Sequence, residues 1–405
     1  MVSAMDTLVE RGFVQDVSDA EGLRDAFERR VTFYTGFDPT ASSLHVGHLL
    51  GIMTMRLLQR HGHRPIALVG GGTARIGDPS GKTASRPMLS GEEIDSNGLC
   101  FRAQLARYLD LGPGQGLLLD NKEWLLGLEL IPFLREIGKH FSINHMLAAE
   151  VYKNRLETGL TFLEFNYMLL QSYDFLHLHG AEDCVLFVGG SDQWSNSLAG
   201  IDLIRKVKEA RAYTLVTPLL TTATGQKMGK TESGAVWLDA DLTSPFDFYQ
   251  YWINTDDRDV ERFLAYFTDL PMDEVRRLGS LEGAEIRKAK EVLAFETTRL
   301  SHGQLAAEQA RDASRALFSG HDASAAPTVP IPAAEVVGLT VADIFIRAGL
   351  CESRNAVRRL VDQGGATIDG QKVTSIDAPV DPDALRAGLL LRSGKKRYAL
   401  VKVGE

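Results

Sequence analysis

Three short segments in the first half of the chain have the pattern of buried β-strands. Residues 32–36 are rich in β-branched and aromatic side chains, and residues 65–69 and 184–188 are apolar throughout. Glycine ends or follows each segment, and residues 49–58 have the apolar density of a buried helix. Apolar strands that alternate with helices are typical of a parallel sheet covered on both faces. Because ligands bind beyond the carboxyl ends of such strands, we expect a site there.

The pattern changes in the second half of the chain. From residue 246 to about 317 the apolar spacing is helical, with frequent charges and few runs typical of strands. Residues 320–334 have the Ala, Ser and Pro content of a linker between domains. The chain is therefore predicted to continue from its α/β part through a helical part into a separate C-terminal unit.

This C-terminal unit has the signals of a small α+β domain. Residues 341–348 are predicted as a helix, and Ser353 is a good N-cap for a second helix that reaches Asp362. Two short strands then flank Asp369-Gly370, a dipeptide that favours a tight hairpin turn.

Composition excludes several classes of protein. The 405 residues are 44% hydrophobic and 24% charged, as in ordinary soluble globular proteins, and no apolar run approaches the length of a membrane span. The N-terminus does not have the pattern of a secretory or organelle-targeting leader. Cys100, Cys184 and Cys351 match no metal or redox spacing, so reduced thiols in a cytoplasmic protein are expected.

Charge is distributed unevenly. The net charge is −9, yet residues 336–405 carry 11 Lys and Arg against 8 Asp and Glu. A basic unit on an acidic body is typical of a polyanion-binding appendage. Chance clustering of solvated charges explains the same excess of basic residues, and charge alone leaves both interpretations open.

One segment near the N-terminus has the residues of a phosphate site. Asp38-Pro39-Thr40 forms a turn after the first strand, and His45-Val46-Gly47-His48 stands at the start of the following helix. A helix start presents unpaired N–H groups and a positive dipole to phosphate, and a glycine lets a nucleotide approach the backbone. The alternative is a pair of surface histidines.

A second segment far downstream, Lys227-Met228-Gly229-Lys230-Thr231, places two lysines in a glycine-containing loop. Two ammonium groups can stabilise the charge that develops on a departing pyrophosphate. Without the first segment, a solvated basic loop would be the better interpretation. Together, in this order, the two segments predict a site that uses a nucleoside triphosphate.

The two segments resemble the hallmark motifs of class I aminoacyl-tRNA synthetases, commonly called HIGH and KMSKS. The second departs from its pattern by Gly229 and Thr231, while a small residue and a hydroxyl are retained. Further motifs make nearly the whole chain similar to the bacterial tyrosyl-tRNA synthetases: residues 33–40, 77–82, 166–174 and 189–193. The resemblance implies a Rossmann-like catalytic domain with a helical insertion (1–220), a mobile lysine loop and helical domain (221–319), a linker (320–334) and an RNA-binding domain of the S-four type (335–405).

The resemblance also implies roles for individual residues. For tyrosine, Asp174 would accept the phenol hydrogen, Tyr34 would donate to its oxygen, and Gln193 would lie near the carboxyl group. Asp78, Tyr167 and Gln171 would hold the ammonium group. The residues implied around ATP are Gly36, Asp38, Gly47, His48, Gly190, Asp192 and Lys230. Those implied in catalysis are Thr40, His45, His48, Lys82, Arg86, Lys227, Lys230 and Thr231.

Part of this assignment can be examined from the residues themselves. A pocket selective for tyrosine must hydrogen-bond the phenol, because an unpaired buried polar group is what penalises phenylalanine. Tyr167, Gln171 and Asp174 are spaced by four and three residues, so they can share one helix face. The polar edge of an ordinary amphipathic helix has the same spacing, and Tyr34 alone would be interpreted as a core aromatic.

The reaction implied has two steps. Tyrosine and ATP give tyrosyl-adenylate and pyrophosphate, and tRNA then accepts the tyrosyl group at its 3′ end. Magnesium is expected with the ATP phosphates, without a protein metal site or a tightly bound cofactor. The family is homodimeric. Phosphate contacts to tRNA are expected from basic residues of the C-terminal unit: Arg354, Arg358, Arg359, Lys395, Lys396 and Arg397.

Three alternatives remain at this point. A tryptophanyl-type enzyme is disfavoured by Tyr34 and Asp174, which suit a phenol. A small-molecule nucleotidyltransferase gives no reason for the basic tail. A non-catalytic RNA-binding relative is disfavoured because the chain keeps the residues that catalysis would need: Asp78, Asp174, Lys227 and Lys230.

Overall fold

A six-stranded sheet organises the N-terminal part of the computed structural model, which describes residues 3–80, 88–225, 228–231, 234–319, 328–336, 338–394 and 397–404. Its strands are β1 (Asp16–Val17), β2 (Thr32–Phe37), β3 (Arg64–Val69), β4 (Leu117–Asp120), β5 (Cys184–Gly190) and β6 (Tyr213–Thr217). They lie in the order β1-β6-β5-β2-β3-β4, and each neighbouring pair except β1 and β6 is parallel. The predicted parallel sheet is confirmed, with β2, β3 and β5 as its three predicted strands.

Helices follow and connect these strands. They are α1 (Ala4–Glu10), α2 (Ala20–Ala26), α3 (Leu49–Arg60), α4 (Gly91–Leu105), α5 (Lys122–Leu125), α6 (Leu130–Glu136), α7 (Ile143–Ala148), α8 (Glu150–Thr158), α9 (Phe162–Phe165), α10 (Tyr167–Glu182), α11 (Trp194–Lys208), α12 (Pro245–Ile253), α13 (Val260–Phe267), α14 (Met272–Gly279), α15 (Ile286–His302) and α16 (Gln304–Ser319). A short ribbon, β7 (Lys230–Thr231) with β8 (Gly234–Ala235), precedes α12. The predicted helix at 49–58 is confirmed as α3, and the predicted helical stretch after residue 246 is confirmed as α12–α16.

The sheet brings distant residues to one edge. In β3, the residues from Pro65 to Val69 are all buried, as expected of a strand covered on both faces. Because β2, β4 and β5 run in the same direction, Asp38, Asn121 and Ser191 leave the sheet at its carboxyl edge. The predicted site residues of this part of the chain lie within these strands, follow them in sequence or lie on α10.

The chain divides into two compact units, Met1–Ser244 with Thr255–His302 and Pro245–Asn254 with Gly303–Glu405. The second unit contains α12 and α16, α17 (Val341–Arg347), α18 (Arg354–Asp362) and α19 (Pro382–Ala387). Its sheet has the order β11-β10-β12-β13-β9, formed by β9 (Thr328–Ile331), β10 (Ala366–Ile368), β11 (Gln371–Lys372), β12 (Leu389–Ser393) and β13 (Arg397–Val403). A buried apolar core that includes Phe345, Val357 and Leu391 is formed by this sheet with α17, α18 and α19.

The local predictions for the C-terminal unit are confirmed. The hydroxyl of Ser353 accepts the N–H of Ala356 at 3.3 Å and caps α18. Asp369 and Gly370 have φ angles of 48° and 79°, as a two-residue hairpin turn between β10 and β11 requires.

One segment differs from its prediction. Strand β9 lies inside the predicted linker 320–334, pairs in parallel with β13 and buries Ile331 in the C-terminal core. Pro330 is compatible with this strand because β9 is at the edge of its sheet, where a missing N–H is tolerated. The linker prediction is therefore corrected for residues 328–331, while residues 320–327 lie outside the described part of the chain.

Candidate active site

The two predicted histidines cap the start of α3. The Nδ1 of His45 accepts the N–H of Gly47, and the Nδ1 of His48 accepts the N–H of His45, both at 3.0 Å. Their rings lie 4.0 Å apart between centroids. Since each Nδ1 accepts a backbone proton, each neutral ring carries its own proton on Nε2. The two Nε2–H groups are donors suited to phosphate oxygens.

The second predicted segment lies directly against the first. The N–H of Val46 donates to Val236, and the N–H of Val236 donates to Gly229, at 2.9 and 3.1 Å. Gly229 has φ +87°, and a Cβ atom there would lie 2.8 Å from the backbone nitrogen of Gly47. Glycine at 229 therefore fits both the local conformation and this close approach.

The lysines themselves are only partly described. Lys230 pairs with Ala235 in the ribbon β7–β8, and so the path of its backbone is defined. The side chains of Lys230 and Thr231 lie outside the described parts of the structure, as do residues Lys82, Arg86 and Lys227. Their roles in catalysis stay predictions.

A cavity of about 850 Å³ brings the remaining predicted residues together. Its lining includes fourteen of them: Tyr34, Gly36, Asp38, Thr40, His45, Gly47, His48, Asp78, Tyr167, Gln171, Asp174, Gly190, Asp192 and Gln193. Three residues close in sequence to Lys227 and Lys230 also line it: Leu220, Met228 and Ala235. One cavity thus joins residues from β2, α3, α10, β5 and the ribbon.

A buried carboxyl group marks one part of this cavity. Asp174 accepts the side-chain N–H of Asn121 at 2.9 Å and that of Trp124 at 2.8 Å. Burial raises its pKa to about 7, although both hydrogen bonds favour the ionised form. Tyr34 is only 2% exposed, and its pKa is well above the ordinary value because of burial and the charge of Asp174. Its hydroxyl therefore stays neutral and can donate.

A second carboxyl group orients a tyrosine. Asp38 accepts the hydroxyl of Tyr167 at 2.9 Å and that of Thr73 at 2.8 Å. Burial, followed by the charge of Asp38, raises the pKa of Tyr167 well above its usual range. Because the hydroxyl hydrogen of Tyr167 points at Asp38, its oxygen is left to accept from another group.

A third carboxyl group belongs to a network of amides. Asp78 accepts the side-chain N–H of Gln193 at 2.8 Å, and the amide of Asn196 donates to Gln171 at 2.9 Å and to Gln193 at 3.2 Å. Asn196 is 2% exposed. The arrangement presents a carboxylate and amide oxygens, which suit an ammonium group.

Sequence reasoning missed four residues of this site: Thr73, Asn121, Trp124 and Asn196. Asn121 and Trp124 follow β4, so predicting residues 117–120 as a strand would have made them candidates. Thr73 and Asn196 have no signal of their own, because their roles depend on which strands are neighbours.

The predicted RNA-binding residues lie in the second unit. Arg354 donates to Asp343 at 2.9 Å and to Asp377 at 2.6 Å, so its charge is already partly balanced. Arg358 and Arg359 are exposed on α18. Lys395 and Lys396 lie outside the described residues, and Arg397 is described only as the first residue of β13.

The described residues lack two further features. They contain no group of three or more His, Cys, Asp or Glu side chains placed to hold a metal ion. None of their helices is both long and apolar enough to cross a membrane.

Comparison with known proteins gives concordant matches. Residues 26–319 match the family described as tRNA synthetases class I (W and Y), and residues 323–401 match the SYY-like C-terminal domain of tyrosine–tRNA ligase. The tyrosine–tRNA ligase of Clostridium tetani is 52% identical over 399 residues, 98% of either chain. That of Clostridium botulinum (strain Alaska E43 / Type E3) is 51% identical over 406 residues, 100% of either chain.

A solved structure agrees with these matches. The C-terminally truncated mitochondrial tyrosyl-tRNA synthetase of Aspergillus nidulans superposes with a TM-score of 0.71 at 32% identity, covering 78% of this chain and 95% of its own. The family that matches residues 26–319 includes tryptophan and tyrosine enzymes alike. The C-terminal match and the full-length identities are what exclude the tryptophan alternative.

Proposed function

The chain belongs to the class I tRNA synthetases and, within them, to the tyrosine–tRNA ligases, and from this premise we infer how its cavity works. It activates L-tyrosine with ATP to tyrosyl-adenylate and pyrophosphate, and transfers the tyrosyl group to the 3′ end of its tRNA. The observation that best supports this chemistry is the buried carboxyl of Asp174 beside Tyr34, in one cavity with His45 and His48. The tyrosine carboxylate is already nucleophilic at neutral pH, so positioning and charge stabilisation dominate.

We propose that Asp174 accepts the phenol hydrogen of tyrosine while Tyr34 donates to the phenol oxygen. The hydrogen bonds from Asn121 and Trp124 fix the Asp174 carboxyl and leave lone pairs for the substrate. We assign the ammonium group to Asp78, Gln171 and Tyr167. Tyr167 is an acceptor here because its own proton is held by Asp38.

We propose that the two Nε2–H groups of His45 and His48 bind phosphate oxygens as the α-phosphorus is attacked in line. Their Nδ1 bonds to the backbone fix the direction of both rings. The other assignments are Thr40 and Gly47 at the phosphates, Gly36, Asp38, Gly190 and Asp192 at the nucleoside, and Gln193 at the activated carboxyl. Magnesium would enter with ATP, held by phosphate oxygens and water.

We expect Lys230→Ala to slow adenylate formation by about 100-fold or more, because a cation facing the leaving pyrophosphate acts mainly in the transition state. Tyrosine affinity should stay within about twofold, because the tyrosine assignments lie elsewhere in the cavity. Tyrosine-dependent exchange of labelled pyrophosphate into ATP, with tryptophan and phenylalanine as control substrates, measures the effect. Lys288→Ala, an exposed lysine on α15, is the matched control. Unchanged single-turnover activation by Lys230→Ala would remove this role.

We propose that two copies of the chain associate through the helical insertion. Exposed apolar side chains concentrate there, on and between α5 and α9: Leu126, Leu130, Ile131, Leu134, Ile143, Leu156, Phe162 and Leu163. A concentration of exposed apolar side chains in one part of the chain supports an interface there. A second copy with the same surface would cover it by two-fold symmetry.

Phe162→Asp should weaken that association. Phe162 is 81% exposed, the highest value among these side chains, and two-fold symmetry doubles each loss. Losing about 1.5–3 kcal/mol per buried aromatic raises the dissociation constant at least about 100-fold. Sedimentation at micromolar concentration measures it, with Leu305→Asp on α16 as control. A wild-type monomer, or an unaffected Phe162→Asp dimer, would contradict the proposal.

We propose that the C-terminal unit positions tRNA through phosphate contacts. The exposed Arg358 and Arg359 are the best described candidates, together with the predicted Lys395, Lys396 and Arg397. Arg354 would serve mainly to join α18 to α17 through Asp343 and to the turn at Asp377. We also propose that residues 1–220 carry the tyrosine and nucleotide sites and that residues 221–319 carry Lys227 and Lys230. We propose a cytoplasmic location as well, because the sequence spacing of Cys100, Cys184 and Cys351 matches no metal or redox motif.

A further inference from the structure

Two charged residues at the start of α13 bind the backbone of residues 220–225, which precede Lys227 and Lys230 in sequence. We call residues 220–225 the first limb. Asp259 is the N-cap residue of α13, yet its side chain makes no capping bond to its own helix. It accepts the N–H of Ala223 at 2.7 Å and is only 2% exposed. The side chain of this N-cap residue therefore binds the first limb and not the N-terminus of its own helix.

Arg262 completes this attachment. Its guanidinium donates to the carbonyl of Thr221 at 2.6 Å and to the carboxylate of Asp259. A buried carboxylate and an arginine therefore balance each other's charge while they bind one N–H and one C=O of the first limb. Two bonds two residues apart fix both the position and the direction of this backbone.

The helix that carries the pair is itself fixed. Arg11 donates to the carbonyls of Ala265, in the last turn of α13, and of Thr268, its C-cap, at 2.7 and 3.0 Å. A cation at this end also suits the helix dipole. Phe263, Leu264 and the other apolar residues of α13 are buried. The first limb is therefore bonded to a rigid element.

Backbone contacts connect the first limb to residues 228 and 229, and these to the histidines at the start of α3. The carbonyl of Leu220 accepts the N–H of Met228 at 2.9 Å, and a Cβ atom on Gly229 would touch Gly47. We propose that Asp259 and Arg262 are positioning residues for the pyrophosphate-binding lysines, holding residues 228–231 in register with the start of α3. This inference rests on the proposed catalytic role of Lys230.

Exchange kinetics of Arg262→Met test the proposal. The substitution keeps an unbranched apolar stem and removes the guanidinium donors, and Arg262 is 39% exposed, so folding is expected to persist. We expect kcat for tyrosine-dependent exchange to fall about 10- to 100-fold, the cost of misplacing a catalytic group. The dissociation constant for tyrosine should stay within about twofold, and Arg262→Lys should recover part of kcat.

Arg258→Met is the matched control. Arg258 lies four residues earlier and pairs with Asp256 at 2.9 Å on the exposed surface, 64% and 38% exposed. The same substitution there should leave kcat unchanged. A merely structural role would lower kcat and tyrosine binding together, or would reduce activity equally at both positions, and either result would overturn the proposal.

Limited proteolysis does not depend on enzymatic activity, and so it separates this proposal from the proposed function. Loss of the attachment should raise the rate of trypsin cleavage after Lys227 or Lys230 at least about fivefold in Arg262→Met, and not in Arg258→Met. Faster cleavage with unchanged exchange would keep the attachment and reject its positioning role, whereas only unchanged activation by Lys230→Ala would reject the role of the lysine itself. An unchanged cleavage rate would reject the attachment itself.

Discussion

Replacing Asp174 by Asn should remove most of the preference for tyrosine over phenylalanine. The Asp174 carboxylate already accepts one hydrogen bond on each oxygen, from Asn121 and Trp124, and can still accept the phenol. An amide has one acceptor oxygen, so its NH2 group would face a donor. Losing a bond to a charged group costs about 1.5–3 kcal/mol, or about 10- to 150-fold in kcat/KM for tyrosine. Phenylalanine has no hydroxyl and should change less than about threefold.

Pyrophosphate exchange with each amino acid measures this change in ratio. Asp120→Asn is the matched control, because Asp120 is also a buried carboxyl near the carboxyl edge of the sheet but binds Gly71 and Lys122 instead. It should alter stability and leave the ratio unchanged. An Asp174→Asn variant that still prefers tyrosine to the wild-type degree would show that the phenol is bound elsewhere.

The pH dependence of tyrosine binding gives the same prediction a second readout. Because the pKa of Asp174 is about 7, its ionised fraction rises about tenfold between pH 6 and pH 8, and tyrosine affinity should rise with it. Asp174→Asn should abolish this dependence. In the tyrosine-free protein, the contribution of Asp174 to the free energy of unfolding changes with pH in the opposite direction. The raised pKa stabilises the fold fully below the unfolded value of 3.8, and this contribution is lost as pH rises through about 7.

The sequence predicted those parts of the fold that depend on local pattern. Strand β3 was predictable because it is buried on both faces, so every residue from Pro65 to Val69 is apolar. The turn at Asp369-Gly370 was predictable because positive φ favours these residue types. Strand β9 was not, since an edge strand containing Pro330 has the composition of a linker.

The residues of the site were likewise predictable only where a local sequence pattern relates them. His45 and His48 are neighbours in sequence, and a capping pattern relates them. Asn121 and Trp124 lie 53 and 50 residues from Asp174, and no local pattern reports that β4 is next to β3 in the sheet. The attachment of Asp259 to Ala223 spans 36 residues and is equally invisible in the sequence.

Ending the chain after Ser319 should separate the two steps of the reaction. The C-terminal sheet has its own core, which includes Ile331, Phe345 and Leu391, so removing it leaves the cavity residues in place. Tyrosine-dependent exchange should stay within about twofold. Transfer to tRNA should lose about 100-fold or more in kcat/KM, because the basic unit is the part suited to phosphate contacts. Exchange of labelled pyrophosphate measures the first effect, and aminoacylation of tRNA at two salt concentrations measures the second.

The full-length double variant Arg358→Gln, Arg359→Gln is the control for that truncation. If phosphate contacts are the cause, it should lose part of the charging rate, keep full exchange activity and show a shallower dependence on salt. A double variant with wild-type charging, beside an inactive truncation, would assign the RNA contacts to other residues of the unit. Intact charging by the truncated chain would instead mean that the acidic remainder binds tRNA unaided. A net charge of −9 for the whole chain, with the basic excess confined to residues 336–405, makes that outcome electrostatically unfavourable.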